Sequence, residues 1–307
     1  MHLSNYPLVS IITIHYQNVN LTSGLLESLN LITYPNIEII VADNGSAQLN
    51  TIELKRKFPN IILVSVPENY GFSGGNNLCI MRARGKYVLL LNNDIEVAPN
   101  FLEPLVSKLE LNPNIGAVSP KIRFFHEPTK IQYAGFSKLT HYTIRNKTIG
   151  FGEIDNGQYD IDYQTDSTHG AAMLIPISVI KEVGMMAYIY FLYYEELDWV
   201  IRIKKAGYQT WYVHNSLVYH KFSQTTGQNS TLKTYYLNRN RIMYIRRNLA
   251  GFRFIIAMFY QLLIVTVRNI SIFLLKGKFS HILSYLRAIK WHFDHLKDKH
   301  IHENPTL

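Results

Sequence analysis

One cysteine in 307 residues, Cys79, excludes an intramolecular disulfide and fits a reducing compartment. The start, Met1 to Pro7, lacks the basic residues, apolar core and small-residue cleavage site of a secretory signal, so a cytosolic catalytic domain is expected. Internal repeats and low-complexity tracts are missing, and 47% hydrophobic residues exclude global disorder. Uninterrupted apolar runs of membrane-spanning length are also missing, because Gln261 and Arg268 break the mostly apolar stretch 254–275.

Charge of one sign is in short supply. The chain carries 22 Asp+Glu against 31 Lys+Arg, a net charge of +9 that favours anionic partners. The cations cluster: Arg239, Arg241, Arg246, Arg247 and Arg253 sit together, and a Lys/His-rich tail follows Lys276. Nucleotide diphosphate, acidic lipid and nucleic acid are the partner classes this admits. Aromatic residues are plentiful at 13%, which suits stacking sites and membrane interfaces as well as ordinary cores.

The first hundred residues alternate two periodicities. Leu8 to Ile14, Ile37 to Ala42, Ile61 to Val66 and Tyr87 to Leu91 read as buried strands. Asn20 to Leu31, residues 48–58 and Gly74 to Arg84 read as helices between them. This rhythm predicts an α/β chain with a doubly wound, mostly parallel sheet, which binds ligands at the carboxyl ends of its strands. Residues 43–46, 69–77 and 92–94 are polar clusters at those ends. Residues 115–165 are less regular, and 140–165 are expected to form a variable loop over the site. Ser167 to Ile175 reads as a strand, Ile177 to Val183 as a helix, Glu195 to Ala206 as a helix closed by Gly207, and Tyr208 to Val213 as a strand.

Character changes near Thr231. The chain is therefore read as a catalytic domain over 1–230, with a nucleotide-binding half to about 115 and an acceptor half from 116, followed by a helical region over 231–307. At about 100° per residue, Arg253, Gln261, Arg268 and Ser271 share one polar stripe. An Arg at the centre of a membrane span costs about 2.5–3.5 kcal/mol, so a helix in the interface plane is favoured over a span. Ile282, Leu286, Ile289, Phe293 and Leu296 repeat amphipathic spacing, with Arg287, Lys290 and Lys297 interleaved. Such helices bind anionic membrane surfaces; a helical cap packed on the catalytic domain is the alternative.

Four motifs carry candidate chemistry. The carboxylate of Asp43, in Asp43-Asn44-Gly45-Ser46, can accept hydrogen bonds from a nucleobase edge, or the motif is a plain Asn-Gly turn. Asn69 to Asn77 contains Gly71, Gly74 and Gly75 and opens a helix. It suits close backbone approach and phosphate, or it is a flexible loop, and it matches neither Walker nor Rossmann spacing. Asp94, closing Asn92-Asn93-Asp94, can hold a hard cation, though one carboxylate is a poor site alone. Glu195, Glu196 and Asp198 open a helix, where they complement its dipole or supply a general base. Trp199 can stack on a sugar or fill the core. His220 becomes a metal-ligand candidate once Asp94 needs a partner.

The ordered set resembles the family-2 glycosyltransferases over roughly residues 8–247. It runs from Val9-Ser10-Ile11-Ile12-Thr13-Ile14 through the clusters at 43–46, 69–77 and 91–94 to Gly170-Ala171-Ala172-Met173. It continues in Tyr194-Glu195-Glu196-Leu197-Asp198-Trp199-Val200-Ile201-Arg202, Ala206-Gly207-Tyr208 and the late His220. Tyr235-Tyr236-Leu237-x-Arg239-Asn240-Arg241 is similar to the rhamnosyltransferase-like branch.

The resemblance implies a GT-A fold, a nucleotide-diphosphate sugar donor and an inverting, metal-dependent transfer with Mg²⁺ or Mn²⁺. The implied donor site takes in Thr13, His15, Tyr16, Asp43, Asn69, Gly71, Gly75, Asn76, Asn92 and Asn93. Asp94 and His220 are the implied metal ligands. Gly170, Ala171 and Trp199 are the implied acceptor or sugar contacts. Glu196 matches the usual base, with Glu195 and Asp198 still open. Two departures stand out: Asn92 replaces the first acid of the family's D-x-D motif, and Glu196 replaces the commoner Asp.

The expected partners are the nucleotide sugar, a lipid-linked glycan acceptor, an anionic membrane surface at the inner face of the cell membrane, and a second copy of the chain; nucleic acid is not expected. dTDP-rhamnose is the first donor candidate and a UDP-sugar the second. A nucleotidyltransferase should carry a basic, Gly-rich loop after the first strand, whereas His15-Tyr16-Gln17-Asn18 has no Lys or Arg. A non-enzymatic nucleic-acid- or lipid-binding protein leaves the acids at 94 and 195–198 unexplained.

Overall fold

The computed structural model describes residues 6–46, 48–221 and 230–307. Its first half alternates β1 (Val9–His15), α1 (Val19–Leu29), β2 (Ile37–Asn44), α2 (Gln48–Lys57), β3 (Ile62–Val66), α3 (Gly71–Ile80), β4 (Tyr87–Leu91), β5 (Ile95–Val97) and α4 (Leu102–Leu111). Then come β6 (Ile115–Phe124), β7 (Ile131–Tyr133), β8 (Tyr163–Gln164), β9 (Ala172–Pro176), α5 (Ile177–Val183), α6 (Glu195–Lys205) and β10 (Gln209–His220). Among the described residues these strands make one sheet in the order β3-β2-β1-β4-β9-β6-β10-β5, with β7 beside β6 and β8 beside β10.

The strands β3, β2, β1 and β4 are parallel, and β9 joins β4 antiparallel, so the sheet is mixed. β1 and β4 are buried along almost their whole length because helices cover both faces, which is why they read as continuous apolar runs. One face packs Leu25, Leu102 and Leu105 against Ile11 and Leu89. The other packs Cys79, Ile180 and Trp199 against Ile12 and Val88.

Several boundaries differ from the sequence expectation. The helix expected from Gly74 starts at Gly71 and ends at Ile80, so the glycines lie in its first turns. Packing overrides their poor propensity: a Cβ at Gly75 would meet Ile14 Cδ1 at 3.0 Å. The strand expected from Ser167 begins at Ala172, because Ala171 N–H turns back to His169 Nδ1 at 3.1 Å. β10 runs past Val213 to His220 through a register shift between Val213 and Leu217, which hid the continuation and puts His220 on a strand. Of the 140–165 loop, Ile144, Arg145 and Asn146 line a cleft. Asp155 is tied instead to Lys121 at 3.0 Å and Arg123 Nε at 2.9 Å.

The C-terminal helices are α7 (Thr231–Asn248), α8 (Gly251–Phe259), α9 (Thr266–Leu275) and α10 (Phe279–Asp294), with a π-helical segment Tyr260–Val265 joining α8 to α9. Ser230 caps α7 by accepting Lys233 N–H at 3.1 Å. The expected polar stripe breaks at the π segment, whose wider turns change the angle per residue. Gln261 is buried against Tyr285, whereas Arg253, Arg268 and Ser271 are exposed. Gly251–Leu275 is long and apolar enough to cross a membrane by length and composition, and little of it is buried. Beside those polar residues the outward side chains include Phe252, Ile255, Phe259, Leu263, Ile264 and Val267. On α10 the packed face is Tyr285, Ala288 and His292, so Leu286 and Phe293 of the amphipathic pattern point outward.

Candidate active site

The carboxyl ends of β1, β2 and β4 open into a cleft of ≈ 320 Å³. Asn44, Asn69, Gly71, Phe72, Asn76, Asn92, Asn93 and Asp94 line it beside Ile14 and Tyr16, so eight residues of the expected strand-end clusters converge. Phe191 and Leu192, which sequence reasoning did not single out, close the opposite wall. Gly75 lies beneath, where its missing side chain lets α3 approach β1.

The loop before α3 is held by Asn44, also unselected. Its Nδ2 donates to Asn69 Oδ1 and Gly71 O, both at 3.0 Å, and its Oδ1 accepts Tyr70 N–H at 2.9 Å. The first amides of α3 are already used: Gly71 N–H reaches Asn69 Oδ1 at 2.8 Å and Phe72 N–H reaches Phe191 O at 2.6 Å. With these two amides committed, the segment meets the cleft through Asn69, Gly71 and Asn76.

Asp43 stands at the end of β2, beside His15 in register. Its carboxylate accepts Ser46 N–H at 3.1 Å and the Thr51 hydroxyl, which satisfies the turn reading and leaves lone pairs for a ligand. His15 and Thr13 face α1. His15 Nδ1 contacts Thr22 Oγ1 at 2.8 Å, and Thr22 accepts Asn93 Nδ2 at 3.1 Å. Burial lowers the His15 pKa, opposed by the Asp43 charge, so the ring stays neutral. Thr13 Oγ1, His15 Nε2 and Ser73 Oγ are buried without a protein hydrogen bond among the described residues. None of the three, nor Asp43, is among the residues that line the cleft.

Asp94 and His220 meet. His220 Nε2 lies 3.0 Å from Asp94 Oδ1, and both residues are buried. β10 delivers the histidine because it pairs antiparallel with β5, which follows Asp94, with His220 opposite Ile95. Gln132 Oε1 lies 3.0 Å from His220 Nδ1. Gln132 Oε1 can accept from Nδ1–H, which would leave Nε2 to a cation shared with Asp94. That donor pair suits a divalent ion. Among the described residues no group of three His, Cys, Asp or Glu gathers to hold one, so a cation on this pair would need further ligands. His169 lies alongside, its ring 6.2 Å from His220. Burial, reinforced by His220 and opposed by Asp94, lowers its pKa to about 3 and keeps it neutral.

A second cleft, ≈ 300 Å³, lies across the loop formed by Phe191 to Tyr194. Glu196 faces it together with Tyr193, Tyr194, Arg145 and Arg241. Gly170 backs Glu196; a Cβ there would stand 3.2 Å from Glu196 Cγ. Ala171 joins the two clefts through its carbonyl, which accepts Asn92 N–H at 2.9 Å. Burial raises the Glu196 pKa. Burial and then the Glu196 charge raise the Glu195 carboxyl well above the ordinary range, and Glu195 Oε2 has no hydrogen-bond partner.

Two site assignments are corrected by the structure. Asp198 is buried away from both clefts, bonded to Arg247 Nε at 2.9 Å, Arg202 Nε at 3.2 Å, Asn248 Nδ2 at 2.8 Å and Tyr190 OH at 3.1 Å. Burial pushes its carboxyl up, but Arg247 and Arg202 outweigh burial and hold it below the usual range, so it is a fixed counter-ion. Trp199 is fully buried and donates Nε1–H to Gly184 O at 2.7 Å, so no face is left for a sugar. Both belong to the inward side of the helix that presents Glu196 outward.

A doubly wound sheet with a polar cleft over its parallel half, a strand-end acid and an antiparallel crossing beside it defines the GT-A class of glycosyltransferases. The chain belongs to glycosyl transferase family 2, whose sequence profile matches residues 10–175. It is 24% identical over 262 residues to the uncharacterised protein y4gI of Sinorhizobium fredii, covering 78% of this chain and 27% of that protein. The chain thus spans about a quarter of that relative's length. It is 24% identical over 226 residues to N-acetylglucosaminyl-diphospho-decaprenol L-rhamnosyltransferase of Mycobacterium tuberculosis, covering 66% of this chain and 72% of that enzyme. Among solved structures, the mannosyltransferase PcManGT of Pyrobaculum calidifontis, in complex with GDP-Man and Mn²⁺, superposes with a TM-score of 0.57 at 16% identity. That match covers 96% of this chain and 89% of the other and speaks to the fold.

Proposed function

We propose that this glycosyltransferase moves one sugar from a nucleotide-diphosphate donor to a hydroxyl of a lipid-linked glycan, with inversion at the anomeric carbon. The observation that carries the reading is the Asp94–His220 pair at 3.0 Å on the donor cleft, with Glu196 facing a second cleft across one loop. The donor occupies the first cleft, where Asn92 and Asn93 serve the ribose or sugar; Asp43, Thr13 and His15, next in sequence to the lining residues Asn44 and Ile14, serve the nucleotide.

Asp94 and His220 would hold Mg²⁺ or Mn²⁺, which would supply charge neutralisation to the diphosphate. Glu196 takes the proton of the acceptor hydroxyl as its oxygen bonds to the anomeric carbon and the bond to the diphosphate breaks. Burial makes Glu196 a stronger base than a surface glutamate. Base and leaving group on opposite sides of that carbon need no covalent intermediate. dTDP-rhamnose is the first donor to test, in keeping with the rhamnosyltransferase relative, and UDP-sugars come next.

The acceptor's lipid accounts for the C-terminal helices. Their outward apolar side chains are flanked by Arg253, Arg268, Lys276 and Arg287, a composition that seats in the headgroup layer of an anionic membrane, here the inner face of the cell membrane. Removing everything after Asn248 is a poor test, because Met185 N–H bonds Pro305 O at 2.7 Å and His292 bonds Arg239 O at 2.8 Å. Ile255→Glu with Phe259→Glu leaves that packing intact and is expected to release the protein from anionic vesicles. Undiminished flotation of the double variant would place the membrane contact elsewhere.

The deciding assay is a screen of nucleotide sugars with Mg²⁺ or Mn²⁺, following donor hydrolysis and, with acceptor, the anomeric configuration of the product. A folded protein inactive with every donor would count against the reading, and a retained configuration would remove the single displacement.

A further inference from the structure

Between the two clefts the backbone takes an unusual course. Phe191, Tyr193 and Tyr194 have φ of 63°, 70° and 75°, a left-handed conformation in three residues that all carry bulky side chains. Such a run persists only where its surroundings over-determine it, and it concentrates at functional sites. Here the surroundings are specific. Asn240, fully buried on α7, points its Nδ2 at three backbone carbonyls: Tyr190 O at 2.8 Å, Leu192 O at 2.7 Å and Tyr193 O at 2.8 Å. Its Oδ1 accepts Arg239 Nε at 2.8 Å, and Arg239 Nη2 also reaches Tyr190 O at 2.8 Å.

Those carbonyls converge on one amide because the left-handed residues turn them the same way. From the other side, Phe191 O accepts Phe72 N–H at 2.6 Å, an approach open only because Gly71 has no Cβ; one built there would stand 2.2 Å from that oxygen. The loop's last residue, Tyr194, is the N-cap of α6, so the loop sets where Glu196 begins its helix.

We propose that Asn240 is a positioning residue for the transfer reaction: by gathering the carbonyls of residues 190, 192 and 193 it fixes the loop that separates donor from acceptor and aims Glu196 at the acceptor cleft. It touches neither substrate. The geometry favours an amide over the alternatives of similar size. Aspartate would set a carboxylate against three carbonyl oxygens, and leucine would leave all three without the donor. The inference rests on Glu196 acting as the base.

The test is steady-state transfer kinetics of the full chain carrying Asn240→Ala, with Glu196→Gln alongside. A displacement of about 1 Å at the base lowers turnover by about 100-fold. We expect a kcat loss of that order, with donor KM changed by less than threefold. The acidic limb of the pH profile should move down toward the ordinary glutamate value of about 4.3, because a loosened loop admits water to Glu196. A purely structural asparagine would lower the melting temperature and leave kcat and the limb unchanged, and that result overturns the proposal. Where the alanine variant does not fold, Asn240→Ser keeps one donor and carries the same test, with an expected loss of about tenfold, between none and the full displacement effect. Full transfer by Glu196→Gln would overturn the base assignment. Loss in Glu196→Gln with unaltered kcat in the Asn240 variants overturns the positioning role alone.

Discussion

Asp198→Asn separates a structural acid from a catalytic one. In the parent, one carboxylate oxygen accepts from Tyr190, Arg247 Nε and Asn248, and the other from Arg202 Nε and Arg247 Nη2. An amide can keep its oxygen toward the first three donors. Its NH₂ then faces two guanidinium donors, and Arg247 and Arg202, whose side chains are 4% and 11% exposed, lose their buried counter-ion.

Breaking a buried pair by removing one partner costs about 3–5 kcal/mol. At this chain length about 1 kcal/mol corresponds to about 2 °C, so a fall in melting temperature of about 6–10 °C is expected. The shift should be flat between pH 5 and 9. A carboxyl held below its ordinary value contributes stability that is full above about pH 3.9 and is lost only as pH falls through the lower folded value. Differential scanning fluorimetry across pH gives the shift, and transfer kinetics below the transition give kcat, expected within threefold of the parent. Glu196→Gln should do the reverse, losing 10²–10⁴-fold in kcat, the usual worth of a general base, with little change in melting. An Asp198→Asn protein that melts like the parent yet cannot transfer would refute this division of roles.

Three further outcomes follow from the same geometry. The kcat profile should fall on the acid side with an apparent pKa above the ordinary glutamate value, because burial raises Glu196; a limb at or below about 4.3 would show a solvated base. His220→Ala should raise the metal concentration needed for half-maximal activity by at least about tenfold, read by titrating Mn²⁺ at fixed donor, and an unchanged requirement would remove His220 from the metal site. Gly170→Ala puts a methyl 3.2 Å from Glu196 Cγ and should lower kcat by about tenfold while donor affinity, measured by calorimetry, holds; a parent-like kcat would mean Glu196 can yield without consequence.

The donor half was legible because its signals are local. An apolar run buried on both faces marks a parallel strand, and the polar residues that end it must lie at the carboxyl edge, where the fold puts its ligands. Tyr16, Asn69, Asn92 and Asp94 lie on one cleft for that reason. The acceptor half depends on contacts no spacing reveals. The bulge at Val213 to Leu217 carries β10 on to His220, 126 residues from Asp94, and only the register of β10 against β5 brings the two together. Gln132 and His169 had no signal of their own, since each matters only through the neighbour it meets. Asp198 and Trp199 misled because a helix N-terminus rich in acids looks alike whether its residues face a cleft or a core. Helical rotation decides, and it turned Glu196 to the second cleft and Asp198 to Arg247.

The same rotation explains why the catalytic helix needs an external brace. Tyr194 is the N-cap of α6, and its left-handed φ of 75° and lack of a side-chain capping bond leave the helix's first turn without the usual lock. Two carboxylates, Glu195 and Glu196, lie in that turn, one buried with an orphaned oxygen and both pushed toward protonation by burial. Left alone, such a turn would gain by fraying and letting water reach both acids. The aligned hydrogen bonds from Asn240 and Arg239 oppose that relaxation, and they come from α7, the helix that α10 packs against. The turn that holds the proposed base is thereby braced by the region that carries the outward apolar face. Seating that face on a membrane should therefore steady α7, the loop and Glu196 together, and transfer measured on anionic vesicles should exceed transfer in solution for an identical soluble acceptor. Equal rates in the two settings would mean that the helices only tether the enzyme.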